Sequence, residues 1–112
     1  MSSEGYSVDR ARWGRLSIFE QMGNIYSEVG RSFKARCRQN EAECERAVAR
    51  ALDLFEATTT PLIACKSPQA KEILRAKEEY LNALYGDGRD DKNIDGLDRY
   101  FMQFAIAARL NH

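Results

Sequence analysis

The residue types that most often perform catalysis or bind metals are scarce in this chain. His112, the last residue, is the only histidine, so the sequence offers neither a histidine-based catalytic triad nor a multi-histidine metal site. No Glu-x-x-His pair is available for a di-iron bundle, and no glycine-rich phosphate loop follows a predicted strand. We therefore predict no catalytic residue, no cofactor and no enzymatic activity.

One short acidic pattern matches the first half of a calcium-binding loop. Asp91, Asn93, Asp95 and Gly96 fit the pattern D-x-N-x-D-G. The second half does not fit, because Met102 stands where the loop needs a bidentate glutamate. We predict no metal site and interpret these acids as the first turn of a helix, where negative charge is favourable.

Basic residues form a charged cluster that could neutralise the phosphates of a nucleic acid. Its members are Arg31, Lys34, Arg36 and Arg38, and no acidic residue interrupts them. In the whole chain, seventeen acidic residues balance seventeen basic ones, and zero net charge gives no overall attraction to nucleic acid. Nucleic-acid binding is therefore possible but not favoured. Pairing with acids of the same chain or of another subunit is the simpler explanation.

Small residues interrupt one predicted helix. Gly23, Ser27 and Gly30 recur at spacings that place them on one side of it, beside its apolar face. A glycine within a helix costs about 1 kcal/mol relative to alanine, so two of them need a reason. Two explanations stay open, namely close approach of a neighbouring helix or a groove for a ligand or partner. Trp13, at the edge of the same apolar face, is either an exposed anchor for a partner or buried.

The composition is typical of one soluble domain. The chain has 112 residues, of which 44% are hydrophobic and 30% charged, and such a domain can fold without disulfide bonds. Three cysteines without C-x-x-C spacing predict reduced thiols, two or three of them buried. No secretion signal and no apolar run of membrane-spanning length is visible, so we expect a cytoplasmic protein without membrane contact.

Apolar residues recur every three or four positions along four segments, which predicts four amphipathic helices. The first is predicted as one continuous helix from an N-cap at Asp9 to about Arg38. Its polar side includes Ser17 and Ser32. Its apolar face is formed by Trp13, Leu16, Phe19, Met22, Tyr26, Val29 and Phe33.

Capping residues and prolines set the predicted ends of the other helices. Asn40 predicts the start of the second helix. Pro61 either ends that helix or kinks it, and both alternatives stay open. Ser67-Pro68 predicts the start of the third helix, which Gly86 ends. The fourth helix is predicted to begin between positions 91 and 93.

Four helices with short connections predict an all-α fold, an antiparallel up-down-up-down four-helix bundle. Residues 1–8 are expected to form a disordered tail and residues 9–112 the single bundle domain. A first helix of about 30 residues would be roughly 45 Å long, against roughly 27 Å for the third and fourth. This excess length hints that another subunit covers the Trp13 end.

Four segments of the sequence resemble a group of short all-helical bacterial proteins with no assigned role. The segments are 16–25 (LSIFEQMGNI), 28–31 (EVGR), 50–55 (RALDLF) and 100–109 (YFMQFAIAAR). The resemblance covers most of the chain. It implies no catalytic or binding residues, so the prediction of function depends on the residues themselves.

The sequence predicts a non-enzymatic helical interaction module that self-associates or serves as a small subunit of a larger assembly. The expected partner is a second copy or another protein, with Trp13, Gly23, Ser27 and Gly30 as candidate contact residues. The alternative is a nucleic-acid-binding accessory protein that uses the basic end of the first helix. A small-molecule site between the helices is a third hypothesis.

Overall fold

Helices make up nearly all of the described chain. The computed structural model describes residues 8–86 and 91–110, except the side chains at 91–94, 105 and 107–110. These residues contain no strand, so the prediction of an all-α fold is confirmed. The helices are α1 (Arg10–Trp13), α2 (Ile18–Cys37), α3 (Glu41–Ala64), α4 (Gln69–Tyr85) and α5 (Asp91–Leu110).

The prediction of one continuous first helix is wrong, because the chain leaves helical geometry between α1 and α2. Ser17 is extended, with φ −66° and ψ 161°, and its hydroxyl accepts a hydrogen bond from the Glu20 N–H at 3.1 Å. The Glu20 carboxylate accepts one from the Ser17 N–H at 2.9 Å, which completes a capping box. The S-x-x-E pattern is present in the sequence, but the apolar periodicity continues across it without a break and predicts a continuous helix.

The four long helices have similar lengths, between 17 and 24 residues. The excess length that hinted at a second subunit around Trp13 is therefore absent. α3 continues through Pro61 to Ala64, so that proline does not end the helix. Pro61 lies on the exposed side of α3.

The other predicted helix starts and stops are confirmed to within a residue. The side chains of Asp9 and Asn40 each accept a hydrogen bond from the N–H three residues later, at 3.2 and 3.1 Å. At the start of α4, the Ser67 hydroxyl accepts one from the Gln69 N–H at 3.2 Å. Gly86 directly follows the last residue of α4.

Short turns connect α2 to α3 and α3 to α4. Gln39, with φ 61°, reverses the chain after α2, and Lys66, with φ 57°, reverses it after α3. Both residues are left-handed, the conformation that commonly ends helices. α2 packs against α3 and α5, and α4 packs against the same two helices. Each long helix therefore has two neighbours, and their apolar faces enclose one core.

Aromatic rings tie three of the helices together in this core. Phe55 of α3 has ring-centroid distances of 6.3 Å to Tyr80 of α4 and 6.2 Å to Phe101 of α5. All three side chains are inaccessible to solvent. The other large, fully buried side chains around them are Met22, Ile25, Ile73, Leu84 and Val29.

Ser32 is buried in the core, so its predicted position on the polar side of the first helix is wrong. Its hydroxyl donates to the Val29 carbonyl at 2.7 Å and lies 2.7 Å from the Tyr80 hydroxyl, which can donate to it. Burial raises the pKa of Tyr80 far above its usual value, so the phenol remains neutral. A buried hydroxyl is tolerated here because both polar groups have a partner.

Two smaller predictions also differ from the structure. Among the three free thiols only Cys44 is buried, whereas Cys37 and Cys65 are exposed at helix ends, so the prediction of two or three buried thiols is wrong. Val8, assigned to the tail, is half-buried, and its N–H donates to the Asp53 carboxylate at 2.7 Å. Residues 1–7 of the predicted tail lie outside the described residues.

Candidate interaction surface

α2 and α5 lie side by side, and their paired rings run in opposite order along the two helices. Phe19 has a ring-centroid distance of 6.3 Å to Phe104, and Tyr26 stacks on Phe101 at 5.4 Å. At the outer edge of this contact the Tyr26 hydroxyl donates to the Asp98 carboxylate at 3.2 Å. These contacts fix the register of the two helices and therefore determine which residues share their outer surface.

α2 brings the predicted small residues to this outer surface. Gly23 and Gly30 are half-buried, and the exposed Ser27 donates its hydroxyl to the Gly23 carbonyl at 3.3 Å. A Cβ added at either glycine would have no described atom within 4 Å apart from the adjacent backbone of α2. Among the described residues, no atom therefore supports close approach of a neighbouring helix as the explanation for these glycines.

α5 brings exposed apolar side chains to the same surface. Met102 follows Asp98 by one turn, on the edge of α5 that borders α2, and it is 45% exposed. Ile106 follows one turn later and is 51% exposed. The ring contacts between the helices place Met102 level with Gly23. We name this surface the α2–α5 face; it consists of Gly23, Ser27, Gly30, Met102 and Ile106.

The sequence did not single out Met102 and Ile106 as contact residues. The helical spacing of α5 could have predicted that they are exposed, because these two positions lie away from the stripe that contains the buried Leu97 and Phe101. Isolated apolar residues on a surface are common. The structure shows that both side chains of this pair are about half exposed.

A groove of about 570 Å³ opens beside Ser27 and Gly30. Arg31, Lys34 and Asp98 line it, so it contains charges of both signs. In the wall of this groove, burial raises the pKa of the Tyr26 phenol, and the Asp98 carboxylate raises it further. The phenol therefore stays neutral and can donate a hydrogen bond. Small-molecule sites usually have convergent polar groups in a mostly apolar cavity. This open groove, with charged side chains in its lining, does not have that form.

We expect Gly30→Ala to stabilise the fold by about 1 kcal/mol, since alanine is the better helix former and its Cβ would enter open space. Gly23→Ala should act in the same way. Thermal unfolding followed by far-ultraviolet circular dichroism measures both. Gly86→Ala is the control and should destabilise, because its Cβ would lie 2.5 Å from the Asn82 carbonyl oxygen. Loss of stability in Gly30→Ala would reveal packing over α2 that this structure lacks.

The basic cluster is divided between two sides of α2. Arg31, Lys34 and Arg38 line one hollow of about 260 Å³. Arg36 lies elsewhere, with its guanidinium carbon 5.3 Å from the centre of the Tyr85 ring. Successive residues are rotated by about 100° around a helix, so spacings of three and four keep side chains together and a spacing of two separates them. Lys34 and Arg38 form no ion pair within the described part of the chain.

Acidic side chains neutralise part of this basic surface. Glu28, with a side chain that is 12% exposed, lies 3.0 Å from Arg31 and 3.1 Å from Arg50. Arg50 also lies 3.7 Å from Glu43. The Arg46 guanidinium donates to Glu43 at 2.9 Å and lowers the pKa of that carboxyl. For Arg31, pairing with an acid of the same chain is therefore confirmed.

Trp13 is buried, with 7% of its surface exposed, so it is not an exposed anchor. Its indole Nε1 donates to the Thr58 hydroxyl of α3 at 2.9 Å. Arg10, one turn earlier, lies 4.0 Å from Asp53 and 3.8 Å from Glu56. Burial, the second alternative for Trp13, is confirmed, and α1 is attached to α3 rather than projecting from the domain.

Metal-ligating side chains do not converge in the described residues, which contain no group of three or more His, Cys, Asp or Glu that could hold a metal ion. The segment that matches half of a calcium loop is helical from Asp91 onwards, whereas metal coordination there needs a loop. None of the described helices is long and apolar enough to cross a membrane.

The comparisons with known proteins add no relative from which a site could be transferred. The resemblance of four segments to short bacterial proteins, and the bacterial origin that it implies, therefore stay predictions. No protein-family model, no curated protein and no solved structure matches this chain.

Proposed function

We propose that this chain is a non-enzymatic helical interaction module that self-associates or serves as a small subunit of a larger assembly. The α2–α5 face is the observation that carries this proposal. Met102 and Ile106 of α5 expose about half of their surfaces, and a Cβ added at Gly23 or Gly30 of α2 would have no described side chain within 4 Å. Apolar side chains on such a surface gain most when a partner removes them from water.

The proposed architecture is an antiparallel up-down-up-down bundle of α2 to α5. The short left-handed turns after α2 and α3 support it, as does the packing of each long helix against two others. In this arrangement two packed helices form the face, so a partner would bind a rigid surface. The exposed thiols of Cys37 and Cys65 are suited to a reducing cytoplasm.

A second copy is the partner that the charges favour. In a two-fold pair the same surface meets itself, so Lys34 of one copy can approach Asp98 of the other. Both side chains line the groove at the end of the α2–α5 face. With zero net charge, there is little overall repulsion between two copies.

Met102→Lys tests this function. We expect light scattering over a range of concentrations to show that the natural chain associates. In the variant the dissociation constant should rise at least about tenfold, because the lysine would have to lose its hydration when the partner binds. Ile63→Lys is the matched control, since Ile63 is 55% exposed but belongs to α3. Its association should equal that of the natural chain.

Two results would contradict the proposal. One is association that Met102→Lys leaves unchanged, because the α2–α5 face would then not be the contact. The other is a chain that stays monomeric at every concentration and also retains no protein from an extract of its host.

Nucleic-acid binding is the second candidate function, and one observation favours it. Lys34 and Arg38 line the same hollow and have no ion-pair partner among the described residues. Contacts of this type release counterions, so binding should weaken as salt rises. Retention of labelled RNA or DNA at low salt, lost in a Lys34→Glu and Arg38→Glu double variant, would support this function. Failure to retain either nucleic acid would remove it.

A further inference from the structure

Residues 8–17, which we name the strap, are attached to α3 by side-chain contacts. The Val8 N–H donates to Asp53 at 2.7 Å, and the Trp13 indole donates to Thr58 at 2.9 Å. Arg10 adds a longer contact of 4.0 Å to Asp53. The four-residue helix within the strap is far below the length at which an isolated helix is stable. The strap therefore depends on α3 for its position.

The connection between α1 and α2, which lies within the strap, has torsion angles close to those of a helix at several positions. Gly14 has φ −65° and ψ −16°, within the helical region. Ser17 has a φ of −66°, which also suits a helix, and only its ψ of 161° is extended. The apolar periodicity of the sequence continues through this connection without a break. Return of residues 14–17 to helical geometry would join α1 and α2 into one helix from Arg10 to Cys37.

Local polar contacts hold the connection in its broken form. One is the capping box of Ser17 and Glu20. The other is the Gln21 side-chain amide, which donates to the carbonyls of Trp13 and Leu16 at 3.1 and 3.2 Å. A continuous helix would replace these bonds with backbone hydrogen bonds of similar net strength. The two forms of the connection are therefore close in free energy.

Release of the strap within one molecule is unfavourable for a separate reason. It would expose Trp13, now 7% exposed, and leave Thr58 without its indole donor. Exposure of a large aromatic side chain is costly. The α3 helix of a second copy offers the same carboxylate and the same hydroxyl. Binding there would bury Trp13 again.

We propose that two copies of this chain exchange their straps. Each strap leaves its own α3, continues α2 as one helix, and binds α3 of the other copy through Trp13 and Thr58. Such an exchange conserves the contacts of the monomer and changes only the connection. This inference rests on the self-association proposed above, but it uses a surface other than the α2–α5 face.

Ser17→Ala tests the exchange. The substitution removes the cap of α2 and favours a continuous helix at both connections of the pair. Loss of one cap should favour the continuous helix about fivefold. Because the pair contains two such connections, we expect the dimer dissociation constant, measured by light scattering, to fall about 30-fold. Ser67→Ala, which removes the hydroxyl at the start of α4, is the matched control and should leave this constant unchanged.

Trp13 is the only tryptophan in the chain, so its fluorescence reports on the strap. Because Trp13 is buried against Thr58 in the monomer and in the exchanged pair, its emission maximum should be the same in both. A Ser17→Ala dimer with red-shifted emission would overturn the inference, since its straps would be released and not exchanged. Absence of any Ser17→Ala dimer would overturn it as well.

A Ser17→Ala and Met102→Lys double variant separates this inference from the proposed function. A dimer that persists in the double variant, with the emission of buried Trp13, supports strap exchange. Loss of the dimer on addition of Met102→Lys would overturn strap exchange and leave the α2–α5 face as the contact. Conversely, if Met102→Lys has no effect in either background, the face fails and the exchange stands.

Discussion

Phe55→Ala should lower the free energy of unfolding by about 4 kcal/mol, the largest loss that we expect from a single substitution in the described core. The Phe55 side chain is inaccessible to solvent and packs against Tyr80 and Phe101, which belong to two other helices. Its removal would leave a cavity that backbone shifts cannot fill, because the surrounding rings are held by separate helices. Urea denaturation followed by circular dichroism measures the loss.

Ile63→Ala is the control for Phe55→Ala. Ile63 is 55% exposed at the end of α3, so its truncation should change stability by less than about 0.5 kcal/mol. Phe55→Leu retains most of the buried volume and should cost less than Phe55→Ala, so the effect remains measurable if the alanine variant does not fold. A loss below about 1 kcal/mol in Phe55→Ala would mean that α3, α4 and α5 do not share a packed core.

Trp13→Ala should lower the free energy of unfolding by about 3 kcal/mol, the second largest loss that we expect. The substitution removes a buried aromatic side chain and leaves the buried Thr58 hydroxyl without its indole donor. The effect should be smaller than that of Phe55→Ala, because the strap lies at the edge of the core. The same denaturation experiment measures it.

A double-mutant cycle of Trp13→Phe and Thr58→Val isolates the hydrogen bond within this effect. We expect a coupling of about 1 kcal/mol between the two side chains. Thr60→Val is the control, because Thr60 is exposed on the same helix and its hydroxyl bonds to the Glu56 carbonyl instead. A neutral Trp13→Ala variant would show that the strap is not attached to α3, which would also remove the basis for strap exchange.

The two proposed modes of self-association differ in what controls them. The α2–α5 face offers Met102 and Ile106 without rearrangement, so its association should respond to surface charge. Strap exchange requires the connection at Ser17 to change conformation, so it should respond to helix capping. Variants at Met102 and at Ser17 therefore distinguish the two contacts in one set of measurements.

The sequence by itself determined the helical class of the fold and most helix ends. Apolar residues at spacings of three and four can bury one side only if the segment is helical, which gave α3, α4 and α5. Asp9, Asn40, Ser67 and Gly86 form hydrogen bonds with backbone groups within four residues of themselves. Local interactions of this range are readable from the sequence, because all the atoms involved are close along the chain.

The sequence predicts the break at Ser17 only in part. Its capping box is local and matches a known pattern. Apolar periodicity supports a continuous helix across the same residues, so two local signals disagree. The contact between Trp13 and Thr58, 45 positions apart, favours the broken form. A contact between distant residues therefore supports the broken form, which the local signals alone do not distinguish from a continuous helix.

Contacts between distant residues determine which side chains face the core and which described residues stay uncovered. Ser32 is buried because Tyr80, 48 positions away, supplies a hydrogen-bond partner. Gly23 and Gly30 have no described atom close to an added Cβ because α5 packs on the adjacent side of α2. Apolar periodicity predicts that one side of a helix is buried, but it does not predict which neighbouring helix covers that side. The neighbour depends on contacts between residues that are distant along the chain.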